Sequence, residues 1–271
     1  MKLALTILLS AAVTVGATRV PKAPTVVVVH AHDFSFDAPK TLKPGATTFR
    51  LVNDGKELHH LSVIKLAKGK TARDFRESMK VAGPPPNWIT GVGGPNAVTP
   101  GSMGEATLSL EPGEYVIICF IPSPGESAPH ASKGMVSSFT VSEGTDLAPM
   151  PKGDVTVTLT DYKFGFSKPL TAGKHLINVE NVANQAHELV MVKLNPGKKA
   201  IDFDSFIEKD LMKSVPPGVP VGGIGFLDKG RTAAFPADLK PGTYAMLCFA
   251  PDAKDGKTHT QHGMMMQFDV K

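Results

Sequence analysis

From Leu58 to Leu66 the chain alternates with the period of a strand. His59, Leu61 and Val63 fall on one face, and His60, Ser62 and Ile64 on the other. The pattern returns in Ala186–Leu194, with His187, Leu189 and Met191 on one face and Glu188, Val190 and Val192 on the other. TVVVVHAHDFSF (Thr25–Phe36) and DVTVTLTDYKF (Asp154–Phe164) are runs of β-branched residues. Tyr115–Phe120 and Tyr244–Phe249 read as short apolar strands, each entered through a Pro-Gly turn. Two segments break the strand period. TARDFRESMK, from Thr71, has Asp74 at capping-box distance and predicts a helix start. AIDFDSFIEKDLMK, from Ala200, predicts a helix with Ile201, Phe206, Ile207 and Leu211 on its buried face. The expected fold class is all-β, an antiparallel sandwich with one inserted helix in each half.

The halves are copies. DFSF at Asp33–Phe36 returns as DYKF at Asp161–Phe164, an offset of 128 (161 − 33). LHHLSVIKL returns at that offset as AHELVMVKL, and EPGEYVIICF (Glu111–Phe120) returns as KPGTYAMLCF (Lys240–Phe249). Two copies are too few for a solenoid, so each is expected to be a domain. The expected limits are 25–142 and 153–271, with a short Pro- and Gly-containing linker over 143–152. So short a linker implies that the domains touch.

Composition adds a compartment. Met1 and Lys2 precede 15 residues without charge, Leu3–Ala17, and Val15-Gly16-Ala17 has the small-residue pattern of a cleavage site. A bilayer-spanning helix needs about 20 apolar residues, so residues 1–17 are expected to be a secretory signal and the protein periplasmic or secreted. No other segment is apolar enough to span a membrane. The net charge of +4 is spread along the chain without a basic stripe, which speaks against nucleic acid as a partner.

Two cysteines, Cys119 and Cys248, are present. A disulfide between them is one reading for an exported protein. They occupy equivalent places in separate repeats, and a bond would require their Cα atoms within about 7 Å. The other reading starts from the residues after each cysteine. CFIPSPGESAPHASKGM runs from Cys119 to Met135, and CFAPDAKDGKTHTQHGM from Cys248 to Met264. Each has ten residues between Cys and His and four between His and Met. With the strand histidine, the sets are His59, Cys119, His130, Met135 and His187, Cys248, His259, Met264. Two imidazoles, a thiolate and a weak thioether are the donor set of a blue-copper site, because sulfur stabilises Cu(I) while imidazole suits both oxidation states.

The pattern of an early Asn before a strand His, then Cys…Pro…His…Gly-Met, resembles the cupredoxins, the family of plastocyanin and azurin, over nearly the whole of each repeat. The resemblance implies a Greek-key β-sandwich in each domain and up to one type 1-like copper per domain. It makes His59 and His187 the strand ligands, Cys119 and Cys248 the thiolates, His130 and His259 the loop ligands, and Met135 and Met264 the axial ligands. The ten-residue gap between Cys and His is longer than in plastocyanin or azurin and nearer to the copper nitrite reductases. In that family the oxidases and nitrite reductases reach a second copper through a histidine beside the copper cysteine. Here Phe120 and Phe249 come after the cysteines and Ile118 and Leu247 precede them. The expectation is therefore a single-electron carrier with a redox partner protein, without oxidase or nitrite reductase activity. Copper delivery and a metal-free interaction module are the alternatives.

Other residues read more plainly. His60 has Glu188 as its counterpart and is expected at the surface. His262 matches Lys133, and His30 and His32 match Thr158 and Thr160, so these histidines are read as ordinary polar positions. The apolar segments PPPNWITGVGG (Pro84–Gly94) and VPPGVPVGGIGF (Val215–Phe226) are expected as loops near the loop histidines, forming a docking patch that includes Trp88.

Overall fold

The computed structural model describes residues 22–81, 83, 85–145 and 147–271. The expected signal segment, residues 1–17, lies outside the described residues. The first half contains β1 (Thr25–His32), β2 (Ser35–Asp37), β3 (Thr41–Leu42), β4 (Gly45–Asn53), β5 (Ser62–Leu66), α1 (Ala72–Ser78), β6 (Ile89–Gly93), β7 (Met103–Leu110), β8 (Gly113–Ile118) and β9 (Val136–Val141). The second repeats the order with β10 (Val155–Thr160), β11 (Lys163–Phe166), β12 (Gly173–Asn181), β13 (His187–Leu194), α2 (Ala200–Glu208), β14 (Gly218–Leu227), β15 (Thr232–Leu239), β16 (Gly242–Leu247) and β17 (Met265–Val270).

Each half packs two sheets face to face. Non-adjacent strands pair within them, β1 parallel to β4 and β10 parallel to β12. Val27, Val29, Phe49, Leu51, Leu61, Val63, Leu108 and Ile117 fill the first interior. A fully buried Tyr stands at each sandwich corner. The Tyr115 hydroxyl donates to the Glu111 carbonyl at 2.8 Å and accepts the Glu111 N–H, and Tyr244 does the same with Lys240.

The halves do more than touch. β7 pairs antiparallel with β15, and β6 with β14, so both sheets run continuously across the molecule. Pro95 and Ile224, equivalent positions in the two repeats, bridge to each other. The segments expected as docking loops are largely these central strands, β6 and β14. Their apolar character serves the junction between the halves, and Trp88 packs beside α1 on the cluster around Ile64, Phe75 and Val116. That corrects the expectation of loops.

The helices cover the outer faces of β5 and β13. In α1, Thr71 Oγ1 accepts the Asp74 N–H and the Asp74 carboxylate accepts the Thr71 N–H, the expected capping box. Phe75 is its buried anchor. In α2 the buried residues are Ala200, Phe203, Asp204 and Phe206, while Ile201 is 47 % exposed. Leu211 lies beyond the helix end at φ 48°. Of the expected face, Phe206 is buried and Ile207 packs against the cluster that includes Phe203, while Ile201 and Leu211 fall off it because the helix closes at Glu208 and buries Phe203 and Asp204 instead.

Candidate metal centre

In the first half, β5 is preceded by a bridge between His59 and Val98, which fixes the histidine at the sandwich rim. Asn53 holds the turn before it. The Asn53 side-chain amide donates to the carbonyls of Glu57 and Val98, each at 2.8 Å, and its oxygen accepts the Gly55 N–H. Asn181 repeats this with Gln185, Leu227 and Ala183. These are the early asparagines of the sequence pattern.

The long loop after Cys119 folds back on itself. Pro122 bridges to Pro129, the His130 N–H donates to the Ile121 carbonyl, and the Ala131 N–H donates to the Cys119 carbonyl. Ten intervening residues therefore return His130 to the side of Cys119. One short helical turn, His130–Lys133, ends at Gly134 with φ 106°, and the chain enters β9 through Met135. Glycine supplies that left-handed turn without a Cβ penalty. In the second half Pro251 bridges to Thr258, and Gly263 takes the same turn at φ 88°.

The result is two buried triads. His59, Cys119 and His130 bring ligand atoms together in one half, and His187, Cys248 and His259 in the other. Cys119 Sγ lies 3.5 Å from His130 Nδ1 and 4.0 Å from His59 Nδ1, and the two Nδ1 atoms are 3.1 Å apart. Cys248 Sγ lies 3.3 Å from His259 Nδ1 and 3.8 Å from His187 Nδ1. Both cysteines are free thiols, which removes the disulfide alternative. Met135 and Met264 are fully buried in the same core as the cysteines, and each N–H donates to the carbonyl of its loop histidine.

The opposite ring nitrogens set the tautomers. His59 Nε2 donates to Asp33 at 3.2 Å, and His130 Nε2 donates to Glu57 at 2.9 Å. Both Nδ1 atoms then carry lone pairs, aimed at one another at 3.1 Å without a proton between them. Such a pair is arranged to share a cation. Metal bonds of about 2.0 Å to nitrogen and about 2.3 Å to sulfur put donors about 3.1–3.7 Å apart around one ion, close to the observed spacing. The two triads fit up to one copper per domain.

Burial sets the electrostatics. It pushes the Cys119 thiol up to about 12, and Cys248 higher still. It pushes His59, His130 and His187 below the ordinary imidazole value. His259 falls to about 4, through burial and then the neighbouring His187. Without metal the site is therefore neutral, and a cation binding there displaces the thiol proton.

The two sites differ in one support. Gln185 stands where the first half has Glu57. His187 Nε2 keeps its carboxylate, Asp161, at 2.8 Å, but His259 Nε2 is buried with no hydrogen-bond partner. Asp252, 3.9 Å from it, is occupied by Tyr162, Gln185 and the N–H groups of Lys254 and Asp255. Asp252, Asp255 and His262 also lie close together, but His262 stacks on Tyr162 and donates to Asp255, closing a hydrogen-bonded network.

His60 contradicts its expected surface position. It is 4 % exposed, and burial lowers its pKa to about 4. Its counterpart Glu188 is 5 % exposed, and burial raises its pKa to about 7. Both faces of β5 and β13 are covered, one by the sandwich interior and the other by the helices and the junction. Sequence reasoning missed Asp33, Asp161 and Glu57 as supports of the histidines, although the repeated Asp of DFSF and DYKF was a visible signal.

No protein-family profile matches the chain, and no curated protein does. Among solved structures, a reduced auracyanin from Roseiflexus castenholzii is 22 % identical, covering 45 % of this chain and all of its own, with a TM-score of 0.32. Copper nitrite reductase from Nitrosomonas europaea is 14 % identical over 92 % of this chain and 94 % of its own, TM-score 0.27. A multicopper oxidase is 12 % identical over 92 % of this chain and 88 % of its own, TM-score 0.27. Each half of this chain has a cupredoxin-like fold. The two-sheet sandwich, the strand histidine at its rim and the Cys–His–Met loop carry that assignment.

The expectation that oxidase and nitrite reductase activities are unlikely is corrected. The matches spanning 92 % of the chain are named as a multicopper oxidase and a copper nitrite reductase.

Proposed function

We propose that the chain is an exported copper protein whose two type 1-like sites carry single electrons. Its ligands are His59, Cys119, His130 and Met135, and His187, Cys248, His259 and Met264, in domains spanning 25–142 and 153–271. Export rests on the apolar run Leu3–Ala17, and among the described residues no helix is long and apolar enough to cross a membrane. The carrying observation is the convergence of one thiol sulfur and two imidazole nitrogens in each half, all fully buried. Copper bound there would supply a one-electron couple. The chain's part is to hold the donors in one arrangement. The carboxylates of Asp33, Glu57 and Asp161 orient the rings, and the loop closures fix the sulfur.

Burial favours electron carriage over copper delivery. An ion leaving for another protein must pass a wall that leaves His59, His130, His187 and His259 at 0 % exposure, whereas an electron crosses that wall without opening it. A redox partner protein is the expected correspondent. Copper loading followed by repeated chemical reduction and reoxidation tests the reading. Visible thiolate-to-Cu(II) absorption that bleaches and returns with copper retained supports it; copper lost on each cycle supports delivery instead.

A further inference from the structure

The residues after the strand histidines do the same thing in both halves. The Phe120 N–H donates to His60 Nε2 at 2.8 Å, and the Phe249 N–H donates to Glu188 Oε1 at 3.0 Å. In the second half the Glu188 backbone N–H donates in turn to Cys248 Sγ at 3.3 Å. Residues 60 and 188 are thus each tied to the cysteine segment of their own half.

One residue joins them. Since His60 Nε2 accepts, its Nδ1 carries the proton and donates to Asn96 Oδ1 at 3.3 Å. The Asn96 amide donates to Glu188 Oε2 at 3.1 Å, and also reaches the carbonyls of Leu189 and Ile224. Asn96 is 3 % exposed and sits at the junction of the halves. Its counterpart is Gly225, where an added Cβ would fall 2.6 Å from Ser62 Oγ. The repeat therefore places a buried polar bridge across the seam, next to a cavity of about 140 Å³ lined by Phe120, Phe203, Phe226 and Phe249.

The geometry points to His60–Asn96–Glu188 as an internal route along which an electron passes between the two metal sites. It runs without interruption through bonds and hydrogen bonds, from Cys119 along the backbone to the Phe120 N–H, into His60 Nε2, through the His60 side chain, Asn96 and Glu188, and back through the Glu188 N–H to Cys248 Sγ. A bonded path attenuates electronic coupling less than an empty or merely packed gap. In the step one electron leaves Cu(I) in one half and reduces Cu(II) in the other, so the two exchange oxidation states with no proton or outside reagent consumed. The Glu57-to-Gln185 difference makes the two sites unequal, giving the exchange a direction and a readable signal. This inference rests on the electron-carrier reading.

The test is pulse radiolysis of the copper-loaded full chain, delivering less than one electron per molecule, with the visible absorption of the two sites followed in time. Wild type should show a relaxation independent of protein concentration. Asn96→Leu should slow it at least tenfold while leaving copper content, absorption and both static potentials in place, and Ser62→Ala, at the same seam, should leave it unchanged. Asn96→Ser, too short to span both partners, gives the same reading if the leucine variant does not fold. Asparagine variants that relax as fast as wild type overturn the bridge alone, as does a wild type that cycles reversibly without such a relaxation. A wild type that does not bleach and recover reversibly brings down the carrier reading, and the bridge with it.

Discussion

Cys119 Sγ stands 3.5 Å from His130 Nδ1, and Cys248 Sγ stands 3.3 Å from His259 Nδ1. The two pairs are built independently by loops of equal length and unlike sequence. Cys119→Ser should therefore lose one copper per chain and Cys248→Ser the other, each leaving the remaining site intact. Metal analysis of the two variants and of the double variant checks this.

The Glu57 carboxylate, accepting from His130 Nε2, has no equivalent at His259. Glu57→Gln should weaken Cu(II) binding at the first site about tenfold, in line with other residues that orient a metal-bound imidazole. It should also raise that site's potential toward that of the second, since a negative charge favours Cu(II). Competition with a Cu(II) chelator and a redox titration measure both.

Gly94 has φ 136°, and a Cβ there would collide with the Leu61 carbonyl oxygen. Gly223 repeats this against Leu189, at φ 143°. Since neither neighbour is a flexible side-chain end, Gly94→Ala should destabilise the chain by about 3 kcal/mol or more. Urea unfolding of the metal-free protein reads the loss.

His175 Nδ1 lies 2.7 Å from Asp154, which raises the imidazole pKa and lowers that of the carboxylate. Because the folded His175 value is raised, its contribution is complete below the unfolded value of about 6.5 and disappears as pH rises through the folded value. Asp154→Asn should bring the His175 titration, followed by NMR, back toward the ordinary value. The associated stability at acidic pH is about 0.5 kcal/mol, because the aspartate is largely solvated.

Much of this was legible in the chain itself. The duplication placed the strand histidine, the cysteine, the loop histidine and the methionine at matching offsets, and the fold gathers each His–Cys–His group. What could not be read was anything that depends on the two halves meeting. His60 and Glu188 look like solvent positions because alternation assigns one face of a strand to water. The shared sheets and Asn96 bury both. The apolar Pro/Gly segments looked like loops for the same reason: strands that pair with the other half carry no local signal of it. Nor does spacing reveal that Glu57, two residues before His59, supports His130 rather than its sequence neighbour.

Copper titration of the full chain, read by metal content and visible absorption together, tests the central claim most directly. Two Cu(II) per molecule should bind, with an intense thiolate absorption band that halves in Cys119→Ser and in Cys248→Ser and vanishes in the double variant. Copper that binds without that band, or equally well to the double variant, would contradict it.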